Sequence, residues 1–369
     1  MSHRTWAAAV VVATGCVFGC LSGCAVGKPP PAETAMAVVE AGDFVFGMGA
    51  KGCNIPQGDA CKEPGKEFSP GTPERVVHLD KFAIDVHEVT MEQYRYCEQM
   101  EKCSLLQRDS ASISATADYF NDPAYNEVPA MMATWAQAQE YCKFVGKRLP
   151  TEFEWERVAG GGGTDVEAKR LYPEAMSASN GGVGSTSLAP KPCAASINTN
   201  LCNAGANVPK TVMSSEDDWV VVGGQKVWDL AGNVAEWTLS DADDPNSLLG
   251  ATCDWSQPYT CGTCSDCLRT QKAISCATLC GQCQCGAAPG KKDCYAPCAS
   301  PVCPRYLDDP AKPPTMTAKE PKGKKRVVRG GSYTSSTTSQ CAHRFDYRSF
   351  TVAPNAPLPF LGFRCAKSL

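Results

Sequence analysis

Between Asp229 and Glu236 the chain reads Asp-Leu-Ala-Gly-Asn-Val-Ala-Glu, two carboxylates enclosing a tight run of backbone carbonyls. Asp229, Gly232, Val234 and Glu236 can converge as an oxygen-only donor set, which suits a hard cation taking about six to eight ligands. The competing reading is a plain turn in which Glu236 pairs with an arginine. A second acidic run, Glu152, Glu154 and Glu156, has the residue type for acid–base work. On a helix, however, neighbours two apart face away from each other, and Glu154 stands three residues after Thr151, where it caps the helix start. That run is therefore read as structural. His78, His87 and His343 are isolated from one another in sequence and are read as satisfied surface or core residues rather than metal ligands.

The chain carries 23 cysteines. Eleven fall between residues 241 and 325, with Cys261-x2-Cys264-x2-Cys267 and Cys280-x2-Cys283 among them. Cys-x2-Cys is a zinc spacing, but the segment has no histidine and no apolar core of its own, so disulfides are the preferred reading. Export supports this. Met1 to Arg4 opens the chain with positive charge, Trp6 to Leu21 is apolar, and Leu21-Ser22-Gly23-Cys24 is a small-residue exit of lipobox type. The apolar run is also short for a membrane span, which needs roughly 20 residues. Residues 1–23 are thus read as a lipoprotein signal peptide. Cys24 carries the lipid, residues 24–36 form a Pro-rich tether, and Ala25 leans toward the outer membrane of a bacterial envelope. A net charge of −4 gives no basic footprint for nucleic acid.

Three helix starts are marked by a Thr followed three residues later by Gln or Glu: Thr90/Gln93, Thr134/Gln137 and Thr151/Glu154. The expected helices run to about Met100, from Trp135 to Val145 with Gly146 as a stop, and from Glu152 to Ala159. Strands are expected from Phe44 to Met48, Arg75 to Leu79 and Phe82 to Val86, where β-branched and aromatic residues gather. Residues 160–225 read as loop. A strand pattern resumes near Val327, after a basic run from Lys319 that reads as a solvated loop. This is an α+β pattern of short elements, because the repeated β-α alternation of a doubly wound sheet is absent.

Four segments, in order, resemble the formylglycine-generating enzyme (sulfatase-modifying factor) family. They are Asp85-Val-His-Glu-Val-Thr90 leading into Tyr94; Val128-Pro129 through Ala138-Gln-Glu-Tyr-Cys142 to Gly146-Lys-Arg-Leu-Pro-Thr-Glu-Phe-Glu-Trp-Glu156; Trp228 to Trp237; and Arg329-Gly-Gly-Ser-Tyr333 through Arg344 and Arg348 to Gly362-Phe-Arg-Cys-Ala366. The resemblance implies a C-type-lectin-like α+β fold, low in regular secondary structure, over residues 37–369, interrupted by the cysteine-rich insertion at 241–325. It also implies a calcium site with side-chain oxygens from Asp229 and Glu236 and backbone oxygens from Gly232 and Val234. A disulfide between Cys142 and Cys365 is implied as well.

Family enzymes hold Cu(I) through two cysteines five residues apart. Counting from Gly330 to Arg344 at the family's spacing places Ser335 and Gln340 at those positions. Cys341 is one residue out of register, so copper is not expected. The positions of a second family disulfide fall at Ala159 and Phe345. With Cys53/Cys61, Cys97/Cys103 and Cys193/Cys202 paired as sequence neighbours, Cys341 is left over and is expected to bond to an insertion cysteine, Cys253 being nearest the insertion's start. The expected function is an envelope-anchored, noncatalytic module that binds a peptide, protein or glycan. The alternative is an oxidase converting cysteine to formylglycine in exported sulfatase-like proteins.

Overall fold

The computed structural model describes residues 30–47, 75–113, 117–164, 168–170, 208–215, 218–241, 312–322, 325–335, 345, 348–349 and 352–369. Cys24, the pairs Cys53/Cys61 and Cys193/Cys202, most of the insertion with Cys253, and Gln340, Cys341 and His343 lie outside them.

The three capped helices form where their local chemistry dictates. They are α1 (Met91–Gln99), α2 (Trp135–Phe144) and α3 (Glu152–Gly160), and in each the Thr hydroxyl accepts from the N3 amide while the N3 side chain accepts from the Thr amide. Each box satisfies two otherwise orphaned groups, worth about 1 kcal/mol. Gly146 follows α2 with φ of 71°, a conformation that favours glycine.

The strands are short and divide among four sheets. β1 (Met36–Val39), β4 (Phe82–Asp85) and β11 (Ala366–Ser368) make one sheet in the order β1-β4-β11, all antiparallel. β2 (Gly42–Phe46) pairs with β3 (Arg75–Leu79), and β5 (Trp219–Val222) pairs with β6 (Gln225–Trp228). The largest sheet has the order β10-β7-β8-β9, from β7 (Ala235–Asp241), β8 (Arg326–Arg329), β9 (Arg348–Ser349) and β10 (Leu361–Gly362).

Two buried clusters hold these elements together. One joins α1 and α2 to β7 and β10 through Tyr94, Ala138, Trp237 and Phe363. The other joins β2, β4, α3 and the β5–β6 hairpin through Phe46, Ile84, Trp155 and Val220, and it contains both Ala159 and Phe345. At those two positions apolar packing therefore stands where the family's second disulfide was expected to be lost. Cys142 and Cys365 are bonded, with Cα atoms 5.6 Å apart, and tie α2 to the C-terminal strand segment. Cys97 and Cys103 are also bonded.

Four expectations change. The tether does not extend to residue 36, since the compact unit begins at Pro31, Thr34 is buried and Met36 opens β1. Gln93 Nε2 donates to the Ala32 carbonyl and the Thr34 hydroxyl, so small side chains with satisfied backbone replace the missing apolar bulk. Residues 219–222, read as loop, form β5. The insertion ends earlier than 325, because Pro314 and Met316 bond the backbone of His78 in β3. The basic run is only partly solvated: Arg326 and Arg329 are buried, and Arg329 pairs with Glu156.

Candidate functional site

The segment 229–236 lies at the centre of a buried polar cluster. Arg364, fully buried, donates to Glu236 through Nε and Nη2, both at 2.7 Å. Its Nη2 also reaches the carbonyls of Trp228 and Asp229. Trp155 donates its indole N–H to the same Glu236 carboxylate at 3.0 Å. Glu236 thus pairs with an arginine, as the turn reading had it.

Carboxylates from outside the segment shape its backbone. Asp218 accepts from the amides of Leu230, Ala231 and Gly232. Glu88 accepts from the Val234 amide at 3.1 Å and the Asn233 side chain at 2.8 Å. Asp229 accepts from the Met213 amide at 2.7 Å and holds φ of 57°, as Asn233 does at 61°. Asn and Asp tolerate that left-handed region because their short polar side chains bond locally. Sequence reading singled out neither Glu88 nor Asp218. Glu88 sits inside the Asp85-Val-His-Glu-Val-Thr90 segment, which was a signal; Asp218 had none beyond its charge.

Glu88, Asp218, Asp229 and Glu236 are all buried, and Arg364 is the guanidinium they share. Burial, then the negative charge of Asp229, holds Glu88 well above the usual carboxylate range. Burial, then Asp218, pushes Asp229 up to about 7. Burial pushes Asp218 up to about 6, against the three amides that stabilise its charge. The cluster therefore has more buried acid than its one guanidinium neutralises, and protons or a cation must supply the rest.

That excess is the test of fit for calcium. Two carboxylates and the carbonyls of Gly232 and Val234 are the right donor type; Glu236 Oε2 is filled by Arg364 Nε and Trp155, and Oε1, which accepts from Arg364 Nη2, keeps a second lone pair with which it can ligate. Among the described residues no group of three or more His, Cys, Asp or Glu side chains is placed to hold a metal ion. A cation here would rest on two carboxylates and backbone oxygens.

Of the two positions where the resemblance placed the copper cysteines, Ser335 lies among the described residues. Ser335 closes a tight turn with Ser332: its amide donates to the Ser332 carbonyl at 2.9 Å, and its hydroxyl accepts from the Ser332 amide at 3.0 Å. The hydroxyl also lies 3.5 Å from that of Ser332, so it is held within the turn. Beside the turn, Tyr333 donates its O–H to the Pro359 carbonyl.

Two of the three acids of helix α3 are engaged in structural pairs. Glu154 caps the helix and pairs with Arg148, and Glu156 is enclosed by Lys169, Arg329 and the Gly47 amide. Burial alone would raise Glu156, but the two cations outweigh it and hold the acid below its ordinary value. His78 pairs with Asp43 across the β2–β3 register, and His87 rests on the Glu88 carbonyl with its protonation suppressed by burial.

The sulfatase-modifying factor enzyme 1-like domain (FGE-sulfatase) matches residues 25–369. The chain belongs to that family. It is similar to the serine/threonine-protein kinase Pkn1 of Chlamydia pneumoniae, at 31% identity over 221 residues, 57% of this chain and 28% of that one. It therefore spans under a third of that relative's length. It is also similar to the inactive Cα-formylglycine-generating enzyme 2 of Bos taurus, at 29% identity over 144 residues, 34% of this chain and 38% of that one. Among solved structures, PvdO from Pseudomonas aeruginosa aligns over 90% of this chain and 94% of its own at 18% identity, with a TM-score of 0.47.

Proposed function

We propose that this FGE-sulfatase domain is a noncatalytic binding or assembly module, held at a bacterial envelope, and in the outer membrane, by a lipid on Cys24. The observation that carries the reading is Ser335. Its position calls for a thiolate in the family's copper pair, and its hydroxyl is instead bound into a backbone turn with Ser332. A hydroxyl does not replace a soft thiolate as a Cu(I) ligand, so the oxidation of a substrate cysteine has no ligand pair here. The similarity to a relative named inactive supports the same reading. Calcium, held by Asp229, Gly232, Val234 and Glu236, would supply positive charge to the buried carboxylates and fix the segment that joins β6 to β7.

The deciding experiment offers Cys-x-Pro-x-Arg peptides to the purified protein, with and without copper, and follows cysteine loss by mass spectrometry. No oxidation is expected. Copper-dependent conversion to formylglycine would revive the oxidase. In parallel, Cys24→Ala should release the protein from membranes, and unchanged membrane association would remove the anchor from the proposal.

A further inference from the structure

The β5–β6 hairpin has two unlike faces. Its register sets Trp219 opposite Trp228 and Val221 opposite Lys226. Residues two apart on a strand share a face, so these four residues stand together, while Val220 and Val227 face the other way and are fully buried in the core. The first face looks outward: Val221 is 47% exposed, Lys226 is exposed, and both tryptophans are partly so.

On that face the indole centroids are 6.3 Å apart, with their planes inclined at 57°. The Lys226 ammonium sits 3.8 Å from the centroid of Trp219 and 5.0 Å from that of Trp228. No carboxylate among the described residues pairs with it. An ammonium held only by aromatic faces gains on the order of 1 kcal/mol at an exposed site, far less than a desolvated ion pair. It remains a positive charge available to an incoming anion.

The chemistry of the face selects its ligand. Indole surfaces suit the apolar C–H face of a pyranose ring, and tryptophan offers broad contact at little conformational cost. The single ammonium between the rings suits one acidic group carried on such a sugar. A dense polyanion would meet one cation here on a chain of net charge −4, which does not favour it.

We propose that the outward face of the β5–β6 hairpin binds an acidic oligosaccharide, a pyranose stacking on Trp219 and Trp228 while Lys226 leaves the ring to pair with the sugar's carboxylate. The proposal deepens the reading of the chain as a binding module.

Tetragalacturonate, maltotetraose and tetraglutamate are titrated into the full chain while tryptophan fluorescence is followed. Tetragalacturonate is expected to shift the emission saturably, and the other two are not. Lys226→Ala should weaken binding at least tenfold with thermal stability unchanged, Lys226→Arg should stay within about threefold, and Trp219→Ala should abolish it. Lys226 is exposed, so its variants fold whatever becomes of the tryptophan variant. Absence of tetragalacturonate binding, equal binding of tetraglutamate or of maltotetraose, or an unchanged affinity in Lys226→Ala would each overturn the proposal. Copper-dependent peptide oxidation would sink the noncatalytic reading without touching this titration, so the two failures are distinguishable.

Discussion

Glu236 and Arg364 meet in a two-point pair, each of two guanidinium nitrogens 2.7 Å from its own carboxylate oxygen, and neither side chain reaches solvent. The pair joins the segment after β6 to the C-terminal Gly362-Phe-Arg-Cys, residues 128 apart in sequence. Such a pair gains little over a well-packed apolar substitute, because both charges are desolvated. Removing one partner is different, since it leaves the other charge buried and unpaired.

Arg364→Ala is therefore expected to destabilise the domain by about 3–5 kcal/mol, because the acids around Glu236 lose their shared guanidinium. Arg364→Lys should recover only part of this, since a point charge cannot reproduce the two-point geometry. Urea unfolding of the two variants measures both. A cost under about 1 kcal/mol for Arg364→Ala would show that the acids are neutralised by other means.

Calcium is expected to raise the melting temperature, and Asp229→Ala to abolish the increment. At a hundredfold excess over Kd, binding to the folded state alone contributes about 2.7 kcal/mol. Thermal unfolding that is identical in calcium and in chelator would remove the ion from Asp229, Gly232, Val234 and Glu236.

How much of this was legible in the sequence depends on the range of each interaction. The capping boxes at Thr90, Thr134 and Thr151 are closed within four residues, so sequence placed all three helices to within a residue or two. β1 was missed for the opposite reason: Met-Ala-Val-Val is four residues long and becomes a strand through β4, about forty residues on. β5 pairs locally with β6 across Gly223-Gly224, but four residues of Trp-Val-Val-Val inside a Gly-, Ser- and Asn-rich stretch carried too little pattern to stand out from the loop reading. The buried acid cluster was half legible: Asp229 and Glu236 share a motif, whereas Asp218 enters only because it accepts three amides of the folded segment. The end of the insertion was misplaced because the contact of Pro314 and Met316 with His78 spans more than two hundred residues and leaves no local pattern.

Asp85 makes stability depend on pH. It is buried against Lys147, 2.8 Å away, and accepts from the Cys365 amide, yet desolvation outweighs both and raises it from 3.8 to about 6. Folding thus takes up a proton between those values. The contribution from Asp85 is fully present below about pH 4 and is lost as pH rises through about 6. Relative to Asp85→Asn, the wild type should lose on the order of 3 kcal/mol between pH 4 and pH 7. Chemical denaturation of both proteins across that range tests this, and a wild type that gains on the variant with rising pH would show that the Lys147 attraction dominates.

The turn of the β5–β6 hairpin is Gly223-Gly224, with φ of 57° and 79°, a two-residue connection whose positive φ values match the strand twist. The two glycines differ in surroundings. A Cβ on Gly223 would lie 2.5 Å from the carbonyl oxygen of Val38 in β1, whereas one on Gly224 would meet nothing within 4 Å. Val38 stands on the edge strand of its sheet, so the hairpin tip covers backbone that would otherwise be open to pairing with another chain. Both alanine variants bear the conformational cost of positive φ, roughly 1–2 kcal/mol, but only Gly223→Ala must also displace backbone. Gly223→Ala is expected to be the more destabilising by at least about 1 kcal/mol, and to raise the rate of self-association once the tip lifts from β1. Denaturant unfolding and light scattering of the matched pair measure the two effects. Equal stabilities would show that β1 yields at Val38 without cost, and the hairpin would then have no part in guarding that edge.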